Sequence, residues 1–201
     1  MKTLELMTQL GHERVCFWHD AETGMRAIIA LHSTALGNAL GGTRRWHYAD
    51  EHDALHDVLR LSEGMTYKAA CAGLPMGGAK SVVLLPERGL AGTEAEARAM
   101  GRFVNTFNGQ YIAAEDVGVN EQYIDWMNLE TDHVQGGTGS GQGGDPSPHT
   151  AMGVLRGMQA CLRHIGVDQF AGLTIAIQGV GSVGAHLARL LHEHGAELVV
   201  A

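Results

Sequence analysis

Residues 179–184, Gly-Val-Gly-Ser-Val-Gly, constrain the fold of this chain more than any other feature. The spacing G-x-G-x-x-G is a weak signal alone, but here it joins a predicted strand at 173–178 to a predicted helix at 183–194. A second predicted strand follows at 197–201. This order is typical of a βαβ unit whose backbone binds the pyrophosphate of a dinucleotide. The alternative is a glycine-rich turn that binds no ligand.

The rest of the chain also predicts alternating strands and helices. Hydrophobic periodicity predicts helices at 1–10, 50–67, 93–107, 120–129 and 150–164, and strands at 15–18, 25–31, 80–85 and 111–114. The glycine-rich stretch 36–43 predicts a loop beside a site. The fold class is therefore predicted to be α/β.

A change in composition at 135–147 predicts a division into two domains. This stretch is rich in Gly, Ser and Pro and has no residues suited to a packed core, so it predicts a flexible loop or hinge. Residues 1–134 then form the first domain, and 148–201 form a connecting helix and the start of a dinucleotide-binding domain.

Composition excludes several classes of partner. The formal net charge of −8 argues against nucleic acid or an anionic membrane as a partner, because both attract basic surfaces. No apolar run is long enough to span a bilayer, and residues 1–7 lack the apolar region of a signal peptide. The three cysteines, Cys16, Cys71 and Cys161, are widely spaced, which predicts reduced thiols in a cytoplasmic protein.

Lys68 and Lys80 are the strongest candidates for catalytic or binding chemistry. The chain has only three lysines, and these two lie in a stretch, 64–80, that is rich in glycine and apolar residues. Burial lowers the pKa of a lysine, and a second cation nearby lowers it further. Such a lysine can act as a general base or bind an anionic substrate.

Asp116 is a third candidate, since it follows the predicted strand at 111–114 in a loop next to Gly118. Catalytic side chains are common at such positions. The alternative is that Asp116 caps the helix that begins near Asn120.

Two other groups of residues favour plainer interpretations. His52 and His56 lie one helical turn apart beside Asp53 and Asp57, but without a third convergent ligand a solvated helix face is favoured, and no metal site is predicted. The small apolar neighbours of Cys71 favour an inert core thiol over a nucleophile.

Four segments in series resemble the Glu/Leu/Phe/Val amino-acid dehydrogenases, and most closely the leucine, valine and phenylalanine branch. They are residues 37–48, 64–80, 114–118 and 179–184, in the family's order and across nearly the whole chain. The resemblance implies a substrate domain followed by a Rossmann domain. It also implies NAD as cofactor, a homo-oligomer formed through the N-terminal domain, and reversible oxidative deamination of an apolar L-amino acid to a 2-oxo acid and ammonia.

The same resemblance assigns roles to the candidate residues. Lys80 would activate the water that adds to the imino acid, Asp116 would take part in proton transfer at the substrate amine, and Lys68 would bind the α-carboxylate. The remaining implied positions line the substrate or the cofactor. Gly42, Met65, Leu40 and Ala114 would line the substrate pocket, and Thr150, Gly179, Val180, Gly181, Ser182, Val183 and Gly184 would contact the cofactor.

The chain also departs from the family's pattern. The strand after Lys80 ends Leu84-Leu85-Pro86, without the polar residue that the family commonly has before the proline. The family's chains are considerably longer, and the acidic residue that binds the ribose would fall beyond Ala201. The sequence therefore predicts an incomplete Rossmann domain in a C-terminally truncated chain.

Two alternatives to the main function remain open. Leu40 and Ala114 suggest a branched aliphatic substrate, and an aromatic amino acid is the close alternative. A non-catalytic fragment, which keeps the amino-acid pocket but cannot hold NAD, is the alternative from another class.

Overall fold

A computed structural model describes residues 2–139 and 145–201. The chain divides into two compact units, Met1–Gly144 and Asp145–Ala201. The predicted α/β class is confirmed. Of the hinge predicted at 135–147, residues 140–144 lie outside the described part of the chain.

The first unit is a five-stranded mixed sheet with helices on both faces. The strands lie in the order β1-β2-β4-β3-β5, with β1, β2 and β4 antiparallel and β3 parallel to both β4 and β5. In chain order the elements are α1 (Thr3–Leu10), β1 (Arg14–His19), β2 (Arg26–Ser33), β3 (Ala39–Trp46), α2 (Glu51–Cys71), β4 (Gly77–Leu84), α3 (Glu94–Asn105), β5 (Tyr111–Glu115) and α4 (Glu121–Asn128).

The two faces of this sheet bury separate apolar clusters, because successive side chains of a strand point to opposite faces. Helix α2 covers one face, where Val58 and Leu59 pack with Ile28 and Val82. Helices α3 and α4 cover the other face, where the larger cluster includes Phe103. A side chain on the first face therefore meets α2, and this is the face that carries the candidate site.

Helix α2 begins where the sequence predicts. The Asp50 side chain accepts a hydrogen bond from the Asp53 backbone N–H and caps the helix. His52 and His56 are both exposed, as expected for a solvated helix face. The helix continues to Cys71, beyond the predicted end at 67.

The predicted loop at 36–43 is wrong, since β3 occupies Ala39–Trp46 inside the sheet. Glycine is required here for close approach of neighbouring strands. A Cβ at Gly41 would overlap the Ala79 carbonyl of β4, and a Cβ at Gly42 would lie 2.5 Å from the Glu115 carbonyl oxygen of β5. The glycines that suggested a turn therefore allow β3 to lie between its two parallel neighbours.

The second unit contains α5 (Ser147–His164), β6 (Thr174–Ile177), α6 (Ser182–Glu193) and β7 (Glu197–Val200). Strands β6 and β7 are parallel, and α6 connects them. Leu155, Phe170 and Leu191 are buried in its core. The predicted strand–turn–helix–strand order around residues 179–184 is confirmed.

No helix within residues 2–139 and 145–201 has both the length and the apolar character needed to cross a bilayer.

We predict that Gly78→Ala destabilises the first unit by about 1–3 kcal/mol, the usual cost of overpacking. A Cβ at Gly78 would overlap the backbone of Thr66 and force α2 away from β4. Gly64→Ala is the matched control, because a Cβ at this position in α2 would meet no atom within 4 Å. In a helix interior that change should stabilise by about 0.5–1 kcal/mol. Urea unfolding of both variants measures the difference, and equal stabilities would contradict the packing described.

Candidate active site

Lys80 is the buried centre of the candidate site. It lies in β4 and is only 5% exposed, and its Nζ lies 2.9 Å from Asp116 Oδ2. Burial lowers the pKa of Lys80 and outweighs the opposite effect of Asp116, and the positive charges of Arg44 and Lys68 lower it further. The side chain therefore gives up its proton more readily than an ordinary lysine does.

Asp116 follows the last residue of β5, and its Oδ2 is close to two cations. Arg44 Nε donates a hydrogen bond to this oxygen at 3.0 Å, in addition to the contact with Lys80. Burial alone would raise the pKa of Asp116, but Lys80 and Arg44 together hold it below its ordinary value. The alternative role as a helix cap is wrong for this side chain, because Asn120 caps α4 by accepting a hydrogen bond from the Tyr123 backbone N–H.

The sheet brings the expected pocket residues of the first unit onto one face. Gly42 pairs with Ala114 in the register of β3 and β5, and Leu40 lies two residues earlier on the same face of β3. A Cβ at Gly42 would lie 2.8 Å from the Cβ of Asp116. Gly42 therefore lets Asp116 lie directly against β3.

Lys68 corrects the expectation that both lysines are buried. Lys68 is exposed in the last turn of α2, and residues 70–75 after it are also exposed, because this end of the helix projects beyond the part that packs on the sheet. Met65 is half-buried one turn earlier and shares a helix face with Lys68. Lys68 is still close enough for its charge to lower the pKa of Lys80.

Cys71 is likewise exposed, so the expectation of a core thiol is wrong. Its small apolar neighbours lie at the same projecting end of α2.

The glycine-rich segment of the second unit has a backbone suited to an anionic ligand. Gly179 has φ = 88°. The N-cap of α6 is Gly181, so no side chain of the cap residue accepts a hydrogen bond from the first N–H groups of the helix. A Cβ at Gly184 would overlap the Gly179 carbonyl oxygen, whereas a Cβ at Gly181 would meet no atom within 4 Å. The first N–H groups of α6, at Ser182 and Val183, therefore remain accessible beside Val180.

Thr150 belongs to the second unit, in the first turns of α5. It is exposed, and its hydroxyl donates a hydrogen bond to the Pro146 carbonyl oxygen at 3.0 Å.

The sequence interpretation missed three residues of the site. Arg44 also donates a hydrogen bond from Nη1 to Asp57 Oδ2 at 2.8 Å, and the Tyr48 hydroxyl donates to the same oxygen at 2.7 Å. Asp57 was grouped with a solvated helix face, and Arg44 directly follows the segment 36–43 that was predicted as a loop. Strand alternation across 39–46 would have placed Arg44 on the same face as Gly42.

We predict that Asp116→Asn lowers the pKa of Lys80 further, because the carboxylate is the group that opposes the effect of burial. Asp57→Asn is the matched control, since the Asp57 carboxylate contacts Arg44 and Tyr48 rather than Lys80. The chain has only three lysines, so NMR titration of labelled lysine side chains can resolve Lys80. A rise in the pKa of Lys80 in Asp116→Asn would contradict the assignment of this ion pair.

Comparisons with known proteins match this chain to one family. Residues 12–133 match the family model described as the Glu/Leu/Phe/Val dehydrogenase dimerisation domain, and residues 141–201 match the model for glutamate, leucine, phenylalanine and valine dehydrogenase.

Individual relatives agree with the family models. The chain is 49% identical to a leucine dehydrogenase of Geobacillus stearothermophilus, with 100% of this chain and 55% of the relative covered. It is 42% identical to a valine dehydrogenase of Streptomyces virginiae, with 100% and 56% covered. The crystal structure of L-tryptophan dehydrogenase from Nostoc punctiforme superposes with a TM-score of 0.73 at 40% identity, covering 99% of this chain and 56% of that one.

The chain spans about half the length of the curated relatives it matches. The matched family models together cover most of it, and the chain therefore belongs to the Glu/Leu/Phe/Val dehydrogenase family.

Proposed function

We propose that this protein catalyses the NAD-dependent, reversible oxidative deamination of a branched-chain L-amino acid to its 2-oxo acid and ammonia. The observation that carries the proposal is the buried ion pair of Lys80 and Asp116, 2.9 Å apart, with a second lysine near it. Membership of a family of amino-acid dehydrogenases supports it.

The substrate is a zwitterion, which needs complementary charges. The ammonium of Lys68 is exposed and available to hold the α-carboxylate, with Met65 beside it on the same helix face. The carboxylate of Asp116 faces the substrate amine and receives its proton. Leu40, Gly42 and Ala114 lie on the same sheet face as Lys80, so the amino acid lies against them.

Lys80 handles the proton of water. Loss of hydride from Cα and of a proton from the amine leaves an imino acid, and addition of water to its carbon followed by loss of ammonia gives the 2-oxo acid. The lowered pKa of Lys80 increases the fraction of neutral amine that can take a proton from the attacking water. Asp116, held ionised by its two cationic neighbours, stays available to exchange protons at nitrogen.

The second unit fits a dinucleotide. Amino-acid dehydrogenases of this family generally use a nicotinamide cofactor, which would accept the hydride. The uncapped N-terminus of α6 presents N–H groups to a pyrophosphate, and the close contact of Gly184 with the Gly179 turn requires glycine at that position. Thr150 is the further contact that we propose near the nicotinamide.

Leu40 and Ala114 support an amino acid with a branched aliphatic side chain as the preferred substrate. The leucine and valine dehydrogenase relatives agree with this choice. The structural match to an L-tryptophan dehydrogenase keeps an aromatic amino acid as the competing substrate.

The proposal also covers the domain boundaries, the oligomeric state and the cellular compartment of the protein. We assign the substrate domain to residues 1–134, a hinge to 135–147 and the cofactor domain to 148–201. The description of 12–133 as a dimerisation domain supports a homo-oligomer formed through the first of these. The three free cysteines support a cytoplasmic location.

Reduction of NAD, followed at 340 nm with leucine, valine, phenylalanine and tryptophan, tests the function. The assay uses the 201-residue chain and the full-length protein that carries this sequence. We expect turnover to be fastest with leucine or valine. An inactive 201-residue chain beside an active full-length protein identifies the chain as a non-catalytic fragment, and faster turnover of an aromatic substrate contradicts the substrate proposed.

We predict different effects for the two site lysines. Lys80→Ala should lower kcat by about 10²–10⁴-fold, the usual contribution of general acid–base catalysis. Lys68→Ala should mainly raise KM, by about 10-fold to 100-fold, because a charge-assisted hydrogen bond to the substrate is lost. Lys2→Ala is the control, since Lys2 is exposed at the start of α1. Full activity in Lys80→Ala would disprove the mechanism.

We predict that Gly184→Ala weakens NAD binding by at least about 10-fold, because the new Cβ displaces the Gly179 turn from the start of α6. Gly157→Ala is the control, since a Cβ at that position in α5 would meet no atom within 4 Å. Calorimetric titration with NAD and with NADP measures the loss and the cofactor preference. Unchanged affinity in Gly184→Ala would argue against this segment as the binding site.

A further inference from the structure

Arg44 connects the candidate site to helix α2. Its Nε donates to Asp116 Oδ2 at 3.0 Å, and its Nη1 donates to Asp57 Oδ2 at 2.8 Å. The side chains of Arg44, Asp57 and Asp116 are 23%, 29% and 24% exposed. The guanidinium therefore bridges the end of β5 to the middle of α2 in a partly desolvated position, where ion pairs are stronger than on an open surface.

Tyr48 holds the far end of this bridge. Its hydroxyl donates to Asp57 Oδ2 at 2.7 Å. Burial and the carboxylate of Asp57 raise the pKa of Tyr48, so the phenol remains a hydrogen-bond donor. Asp57 is thereby fixed by two donors, and Arg44 by two acceptors.

The two oxygens of Asp116 have different surroundings. Lys80 and Arg44 both contact Oδ2, while Oδ1 has no hydrogen-bond partner among residues 2–139 and 145–201. The Cβ of Asp116 lies against β3, where only glycine fits at position 42. One oxygen is therefore fixed by two cations, and the other is free to accept a hydrogen bond from a bound molecule.

We propose that Arg44 is a positioning residue for the deamination, which orients Asp116 so that Oδ1 faces the substrate amine, and that Asp57 and Tyr48 anchor Arg44 in this orientation. This inference rests on the proposed function and adds three residues to it. Neither Asp57 nor Tyr48 touches the substrate in this arrangement.

The bridge needs arginine. A guanidinium presents several N–H donors in a planar fork, so Nε and Nη1 can serve two carboxylates at once. A lysine ammonium on a flexible stem would keep the positive charge but would not hold both carboxylates in fixed positions. Arg44→Lys therefore separates the effect of charge from the effect of geometry.

Arg44→Gln, Arg44→Lys and Tyr48→Phe test the inference, with Arg60→Gln as the control. Arg60 is an exposed arginine of α2, the helix that carries Asp57. In the full-length protein, Arg44→Gln should lower kcat by about 10-fold to 100-fold, the scale expected for misplacing a catalytic group by about 1 Å. KM should change by less than about threefold. The control should keep wild-type values.

The pH dependence distinguishes positioning from a merely structural role. Arg44 helps to lower the pKa of Lys80, so Arg44→Gln should raise that pKa and move the limb of kcat that depends on neutral Lys80 to higher pH. Arg44→Lys should restore the pH profile but not the full kcat. Lysine-labelled NMR of the 201-residue chain measures the same pKa without turnover.

Each outcome bears on the inference. Tyr48→Phe removes only a hydroxyl and should lower kcat in the same direction as Arg44→Gln but less, which keeps a test available if Arg44→Gln does not fold. Wild-type kcat in Tyr48→Phe, or an unchanged Lys80 pKa in Arg44→Gln, overturns the inference. Loss of activity in Lys80→Ala with full activity in Arg44→Gln overturns this inference alone, whereas full activity in Lys80→Ala overturns the proposed function.

Discussion

The close approach of β3 to its two parallel neighbours is the constraint on which the candidate site depends. Gly41 lets the β3 backbone lie against Ala79, and Gly42 lets it lie against Glu115 and Asp116. This spacing places Lys80 of β4 and Arg44 of β3 within hydrogen-bond distance of Asp116, which follows β5. A larger side chain at either glycine would separate the strands, and the ion pairs between them would be lost.

Burial gives the charged groups of the site their chemical properties. Lys80 would keep an ordinary pKa in water, but within the sheet the loss of solvation exceeds the stabilisation from Asp116. Asp116 has two cationic partners, and they keep it ionised in spite of burial. The same surroundings therefore make the Lys80 ammonium easier to deprotonate and keep the Asp116 carboxylate charged beside it. Proton transfer from water and from a substrate ammonium requires both properties.

Much of the fold followed from local patterns. Hydrophobic periodicity located the helices and most strands, because each element carries its own apolar face. Helices α2 and α4 also begin close to where the sequence indicated, directly after their cap residues Asp50 and Asn120. Prediction failed at 36–43, because glycine that allows close packing of strands looks the same in a sequence as glycine that forms a turn. It failed again at Lys68 and Cys71, which are exposed. Helical periodicity does not reveal where a helix extends past the sheet on which it packs.

The sequence by itself determined the α/β class and the position of the glycine-rich βαβ segment. It also identified Lys80 and Asp116, the two residues of the central ion pair, as candidates. The tertiary structure decided which of the two lysines is buried, and it joined Arg44, Asp57 and Tyr48 to the site. These three residues come from a strand, a helix and the segment between them. No pattern in the sequence indicates that these three side chains interact, because only the packing of α2 on the sheet brings them within hydrogen-bond distance.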